Sequence, residues 1–174
     1  MRGKEPTDLL WWVIPKVIAG MPLPFVHPDR RAQRGGTLRQ FEDDLPVLRD
    51  AGIQSVVCLL NIPSHQRIFE AAGFTFLLSI VPDYQAPTLD QANRIMDFIA
   101  AAPKAVAVHC EGGIGRTGTI LAAFLIHQGS TAEDAIRQVR SVEPAAIETN
   151  SQIKFLVEFE RQKASTTPAK HGSI

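Results

Sequence analysis

Along the chain, apolar runs of strand length alternate with segments of helical spacing. "WWVIPKVIAGMPLP" (11–24) predicts a strand, a turn and a second short apolar piece, punctuated by prolines. Residues 41–51 predict a helix with Phe41, Leu45 and Leu48 on one face and Gly52 as its stop. "SVVCLLN" (55–61) reads as a buried strand, 64–72 as a weak helix and "FTFLLSIV" (74–81) as a further strand. Thr88, with Gln91 three residues on, has the form of a capping box for a helix over 89–101. "AVAVH" (105–109) is the next strand, and Thr117 to Gln128 a helix closed by Gly129. A helix from Thr131 carries Asp134 at the capping position and runs to about Val142. A last helix after Thr149 bears Ile153, Leu156, Val157 and Phe159.

Strands that alternate with helices imply an α/β fold: one domain with a central, mostly parallel sheet of four to five strands and helices on both faces. The polar segment 27–40 reads as a loop. Residues 1–8 and the tail from Ala164 to 174, low in apolar content, are expected to be flexible.

Composition narrows the function classes. The 174 residues carry 45% hydrophobic and 21% charged residues, and Lys and Arg balance Asp and Glu at 18 each. A chain of that length supports one sizeable core. Zero net charge gives no broad basic field, so neither nucleic acid nor membrane is expected as a partner. Arg30, Arg31, Arg34 and Arg39 cluster locally, as a solvated loop or as a rim for an acidic partner. Two cysteines make no disulfide framework and show no zinc-ligand spacing with the histidines. A reducing cytoplasm and a monomer are the expected setting. Lys4, Glu5 and Asp8 precede only a short apolar run, unlike a secretory leader, and the apolar segment Thr119 to Ile126 is too short to span a bilayer.

Against that plain background, "AVAVHCEGGIGRTGTILAAFLI" (105–126) stands out. A strand that ends in a tight turn and feeds a helix gathers backbone N–H groups around one point, and the helix adds its positive end. Gly112, Gly113 and Gly115 permit such a nest, with Glu111 and Ile114 completing the loop. Arg116 can clamp two phosphate oxygens with its fork. Cys110 lies at the bottom of the cup, where the field that binds a dianion also favours a thiolate. Thr117 can donate its hydroxyl to that sulfur or to the intermediate formed on it. His109 suits orienting the loop better than acting as a base. No metal or other cofactor is required.

A thiolate attacking phosphorus needs a proton for the leaving oxygen, hence an acid on another loop. Asp83, in "VPDYQAP" after a strand, fits that role or that of a turn former. Asp90 is the rival, although its place beside Thr88 suits a first-turn helix charge. For the water of a second step, Gln152 in "IETNSQ" is a candidate positioner, and Thr149-x-x-Gln152 is equally a capping box. Glu148 could fix the Arg116 fork or be a surface carboxylate. Tyr84 could line the cleft wall or pack in the core.

These residues together resemble the cysteine-based protein phosphatase superfamily, above all the small atypical dual-specificity phosphatases. His109, Cys110, Arg116 and Thr117 match its H-C-x5-R-T signature; Val81, Pro82, Asp83 and Tyr84 match its acid loop. The likeness spans residues 9–163. It implies a protein tyrosine phosphatase-like fold, a phosphocysteine intermediate and phosphotyrosine substrates in proteins or peptides, with phosphoserine and phosphothreonine as further candidates. A phosphoinositide or RNA 5′-phosphate substrate, a sulfurtransferase and a non-catalytic phosphate-binding module are the alternatives. Glu111 departs from the lipid-directed subgroups, which place lysines in this loop, and the stretch 27–44 is longer than compact relatives need. Some relatives protect the catalytic sulfur by a disulfide with a second cysteine, a role open to Cys58; otherwise it packs as a small hydrophobe.

Overall fold

The computed structural model describes residues 9–24 and 41–166, and the expectations for 1–8, for the stretch 25–40 with its arginine cluster, and for 167–174 lie outside them. The elements run β1 (Trp11–Ile14), β2 (Ile18–Met21), α1 (Phe41–Asp50), β3 (Ile53–Cys58), α2 (Ser64–Ala71), β4 (Thr75–Leu78), α3 (Leu89–Ala101), β5 (Ala105–His109), α4 (Gly115–His127), α5 (Ala132–Val142) and α6 (Asn150–Thr166). The strands form one sheet in the order β1-β2-β5-β3-β4. β1 pairs antiparallel to β2; the remaining pairings are parallel. A single mixed, mostly parallel sheet between helical layers is the α/β architecture expected.

Side-chain alternation sorts the helices to two faces. Val57, Val106 and Val108 point into one cluster with Ile95 and Met96 of α3, most of α4, Val139 of α5 and Phe159 of α6. Val56, Ala105 and Ala107 point the other way, toward Leu48 of α1 and Phe69 of α2. Small alanines of β5 thus meet the thinner layer and its valines the thicker one. α4 is buried from Gly115 through Ile126, wrapped by α3, α5, α6 and the sheet. That explains the unbroken apolar run after the glycine turn.

Several boundaries differ from the sequence pattern, β3 at Ile53–Cys58 rather than 55–61 among them. α4 begins at Gly115 rather than Thr117, because the glycine turn runs straight into helix. The strand expected over 74–81 pairs only as far as Leu78; beyond it, Ser79 N–H donates to the Cys58 carbonyl and Val81 N–H to Leu59, which keeps the chain beside β3 up to the acid loop. α6 continues to Thr166, two residues past Ala164, where the apolar content of the sequence drops. The caps read at Thr88 and Thr131 form: Thr88 and Gln91 exchange hydrogen bonds, and the Thr131 hydroxyl accepts from Asp134 N–H.

Parallel pairing sets the carboxyl ends of β2, β3, β4 and β5 on one edge of the sheet. Ligands bind at that edge in open α/β sheets. Cys110 follows β5 there, and Asp83 follows the extension of β4.

Candidate active site

Residues 110–116 curl from the end of β5 into the N-terminus of α4. Cys110 is buried at 3% exposure, and two donors aim at its sulfur: Gly113 N–H at 3.2 Å and Thr117 Oγ1 at 3.1 Å. Two donors converging on one sulfur make a setting suited to a thiolate. Gly113 holds φ +66, and a Cβ there would fall on the Met21 carbonyl. Only glycine serves on both counts. The loop is also tied from outside. Trp11 Nε1 donates to Gly113 O at 3.2 Å, and Leu23 N–H to Glu111 O at 2.9 Å. Gly20 opposite Trp11 makes the first tie possible, since a Cβ there would strike the indole.

Arg116 is buried, yet its fork reaches the acid loop. Nη1 donates to Val81 O at 3.0 Å, and Nη2 pairs with Asp83 Oδ1 at 3.0 Å. Asp83 is more than half exposed, and the same oxygen accepts from Tyr84 N–H at 3.0 Å. Asp83 therefore stands beside the cup rather than in a distant turn. Asp90 lies in the first turn of α3, as its sequence position suggested.

Three other expectations resolve differently. Arg116 is fixed by Asp83 and Val81, not by Glu148. The Glu148 side chain instead lies over Gly115, exposed, where a Cβ on that glycine would meet its carboxylate. Tyr84 is 61% exposed with φ +58, so it belongs to no core. Gln152 fulfils the capping reading without leaving the site. Its Oε1 accepts from Glu148 N–H at 2.8 Å and Thr149 N–H at 3.1 Å, while Nε2 points to Gln85 O at 3.3 Å and would lie 3.2 Å from a Cβ on Gly115. One side chain thus caps α6 and presents an amide to the cup.

His109 is fully buried, with Nδ1 3.4 Å from Cys110 O. Burial pushes its pKa down to about 3, opposed by that carbonyl. It stays neutral and serves the loop's backbone, in keeping with an orienting role. Cys58, register partner of His109 across β3 and β5, is buried with Sγ 3.6 Å from Leu60 O. Burial pushes its thiol up to about 11. Both cysteines are unbridged. Among the described residues, no group of three or more His, Cys, Asp or Glu could hold a metal ion.

A family model described as "Tc-R-P: Polymorphic toxin system, DSP-PTPase phosphatase" matches residues 32–130. The chain belongs to this phosphatase family. Human dual specificity protein phosphatase CDC14A is 27% identical over 174 residues, covering 94% of this chain and 29% of that protein. The Arabidopsis thaliana phosphatidylglycerophosphate phosphatase PTPMT2 is 31% identical over 148 residues, covering 77% and 64%. The chain thus spans less than a third of the human relative it matches. Among solved structures, Tk-PTP in the active form superposes with a TM-score of 0.72 at 26% identity, covering 89% of this chain and 98% of that one. The matched family is one of cysteine-based phosphatases, as the sequence resemblance implied.

Two features escaped sequence reasoning. Trp11 reads only as a strand residue, since its partner lies 102 positions away. Arg140 reads as one more cation in the last turn of a helix. No local signal distinguishes either.

Proposed function

We propose that this chain hydrolyses phosphate monoesters on proteins through a phosphocysteine. Cys110 Sγ attacks phosphorus; the P–S bond forms as the P–O bond to the side chain breaks. Asp83 gives its proton to the leaving oxygen. The N–H groups of 111–116 and the Arg116 fork hold the three remaining oxygens, which supplies the charge stabilisation. Water, held by the Gln152 amide, then attacks phosphorus as Asp83 takes its proton, and phosphate leaves with the P–S bond broken. His109 keeps the loop in shape, and Thr117 steadies the sulfur as it leaves. The reaction requires no cofactor.

The observation that carries this reading is the meeting of Cys110, Thr117, Arg116 and Asp83 at one sheet edge, from two separate segments of the chain. A pure phosphate-binding module has no use for Asp83 on the arginine, nor has a sulfurtransferase.

Glu111 and Glu148, both exposed on the cup, support a phosphoprotein over a polyanionic lipid headgroup. The name of the human relative points the same way, whereas the Arabidopsis relative is named for a phospholipid substrate. The test is kcat/KM on phosphotyrosine and phosphothreonine peptides against phosphatidylglycerophosphate and phosphoinositides in mixed vesicles. The peptides are expected to be preferred, and Glu111→Lys to shift the ratio toward the lipids. A parent that prefers vesicles makes it a lipid phosphatase. The unbridged cysteines support a reducing, cytoplasmic setting, and a monomeric domain holds every residue the reaction uses.

A further inference from the structure

The reaction above leaves one strained segment unused. Ile147 has φ +63, a left-handed value that a β-branched residue rarely adopts. Its side chain is buried at 2% exposure, and its N–H points to Ile114 O of the phosphate loop at 3.4 Å. The residue before it presses on the first turn of α4: a Cβ on Gly118 would meet Ala146 Cβ at 2.8 Å. A backbone held this way persists only where its surroundings over-determine it, and such positions cluster at functional sites.

The group that determines it is Arg140 on α5. Its Nε donates to Ala146 O at 3.0 Å and its Nη2 to Ile147 O at 2.8 Å. One planar fork thus grips two successive carbonyls across the turn. Beyond Ile147 the segment reaches over the cup to the acid loop. Thr149 Oγ1 donates to Tyr84 O at 3.1 Å, Ser151 Oγ to the same oxygen at 3.4 Å, and Gln152 Nε2 to Gln85 O at 3.3 Å. Tyr84 is itself left-handed, at φ +58. Two strained turns therefore face each other and are laced together, and Arg140 anchors the lacing to the body of the protein.

We propose that Arg140 is a positioning residue. By locking the Ile147 turn it sets where Asp83 and the Gln152 amide stand over the cup. The proposal rests on the phosphocysteine reading. It separates two functions of the site. The cup is held from its other side by Trp11 and Leu23, so oxyanion affinity survives loss of Arg140. Proton transfer and water placement do not, because small misplacements of a catalytic group lower rate steeply.

The test compares the parent, Arg140→Met and Arg140→Lys on two aryl monoesters. 2,4-Dinitrophenyl phosphate releases its leaving group without a proton, whereas phenyl phosphate needs one. kcat/KM covers the steps up to phosphocysteine, and kcat on the activated ester reports its hydrolysis. Arg140→Met is expected to lose about 10-fold or more in kcat/KM on phenyl phosphate, less than about 3-fold on the dinitrophenyl ester, and to keep tungstate affinity within about 3-fold. Its kcat on the activated ester falls as phosphoenzyme accumulates. Arg140→Lys, one point donor in place of a fork, recovers part of the loss; it also carries the comparison if the methionine variant fails to fold. Equal losses on both esters with weakened tungstate binding would make Arg140 a merely structural residue and overturn the proposal. So would unchanged kinetics in a parent that turns over. A parent that forms no phosphoenzyme overturns the underlying reading, and the proposal with it.

Discussion

Arg116 and Asp83 are in contact, Nη2 to Oδ1 at 3.0 Å, with the arginine buried and the carboxylate mostly in solvent. The same guanidinium donates to Val81 O, two residues before the aspartate. The group proposed to clamp phosphate therefore also holds the acid loop in place. A phosphate monoester bound as proposed would compete with Asp83 for one edge of the fork.

Two substitutions separate these duties. Asp83→Asn keeps a polar side chain near the arginine and removes the proton. Turnover of an aryl phosphate with a poor leaving group is expected to fall about 10²–10⁴-fold and the alkaline limb of its pH profile to vanish. Arg116→Lys replaces a fork by a point charge. It is expected to lower kcat/KM about 10²–10³-fold on every ester, activated ones included. An Asp83→Asn profile that matches the parent's would remove Asp83 from the reaction.

Thr117 offers a narrower test. Its hydroxyl points at Cys110 Sγ from a fully buried site, and valine keeps the shape without the donor. Hydrogen bonds to charged groups contribute about 1.5–3 kcal/mol, or roughly 10–100-fold. Thr117→Val should slow iodoacetamide labelling of Cys110 near neutral pH and lower turnover within that range. Labelling as fast as in the parent would show that the hydroxyl does not stabilise the reactive sulfur.

Neighbouring glycines should behave unequally. At Gly113 an alanine would need φ +66 and a place already taken by the Met21 carbonyl. At Gly112 the nearest atoms to a new Cβ belong to Ile114 at 3.9 Å, an ordinary contact. Gly113→Ala is expected to lower thermal stability by several degrees and abolish tungstate binding, while Gly112→Ala leaves the melting temperature near the parent's. Matching melting curves would refute the backbone account of Gly113.

His109 sets a pH dependence of stability. Burial lowers its pKa from 6.5 to about 3. Above the unfolded value both states are neutral and the residue adds no pH dependence. As pH falls through 6.5 the unfolded chain takes the proton and the folded chain does not, so stability declines down to about pH 3. The slope from one such group approaches about 1.4 kcal/mol per pH unit. His65 and His127, also lowered by burial, act with the same sign. Urea unfolding at pH 7, 6 and 5 should show the decline, and His109→Gln should flatten it.

What the sequence disclosed and withheld follows from range. The alternation of β5 and its entry into α4 are local, so the phosphate cup was readable from Cys110 to Thr117. The acid loop was readable because Pro82 and Asp83 follow an apolar run. Whether Glu148 pairs with Arg116 or is a surface carboxylate stays open in the sequence, since Asp83 and Glu148 both lie far along the chain from the arginine and only the sheet edge decides which one arrives. Whether Tyr84 lines the wall or packs in the core is not legible in its type, because aromatic character says nothing of a left-handed backbone. Gln152 caps α6 through its Oε1 and donates its Nε2 to Gln85 O, as one amide carries an acceptor and donors. Arg140 was invisible because its partners are carbonyls, which every residue supplies.

Trp11 gives the phosphate cup an optical handle. Its indole N–H ends on Gly113 O, the residue whose N–H donates to the Cys110 sulfur, while the ring packs on Gly20. Whatever shifts the backbone of that one residue, whether a bound oxyanion, a phosphorylated cysteine or an oxidised one, alters the polarity felt by a buried fluorophore. With Trp12 replaced by phenylalanine, emission from the remaining tryptophan becomes a real-time record of each turnover, without a chromogenic substrate or an attached label.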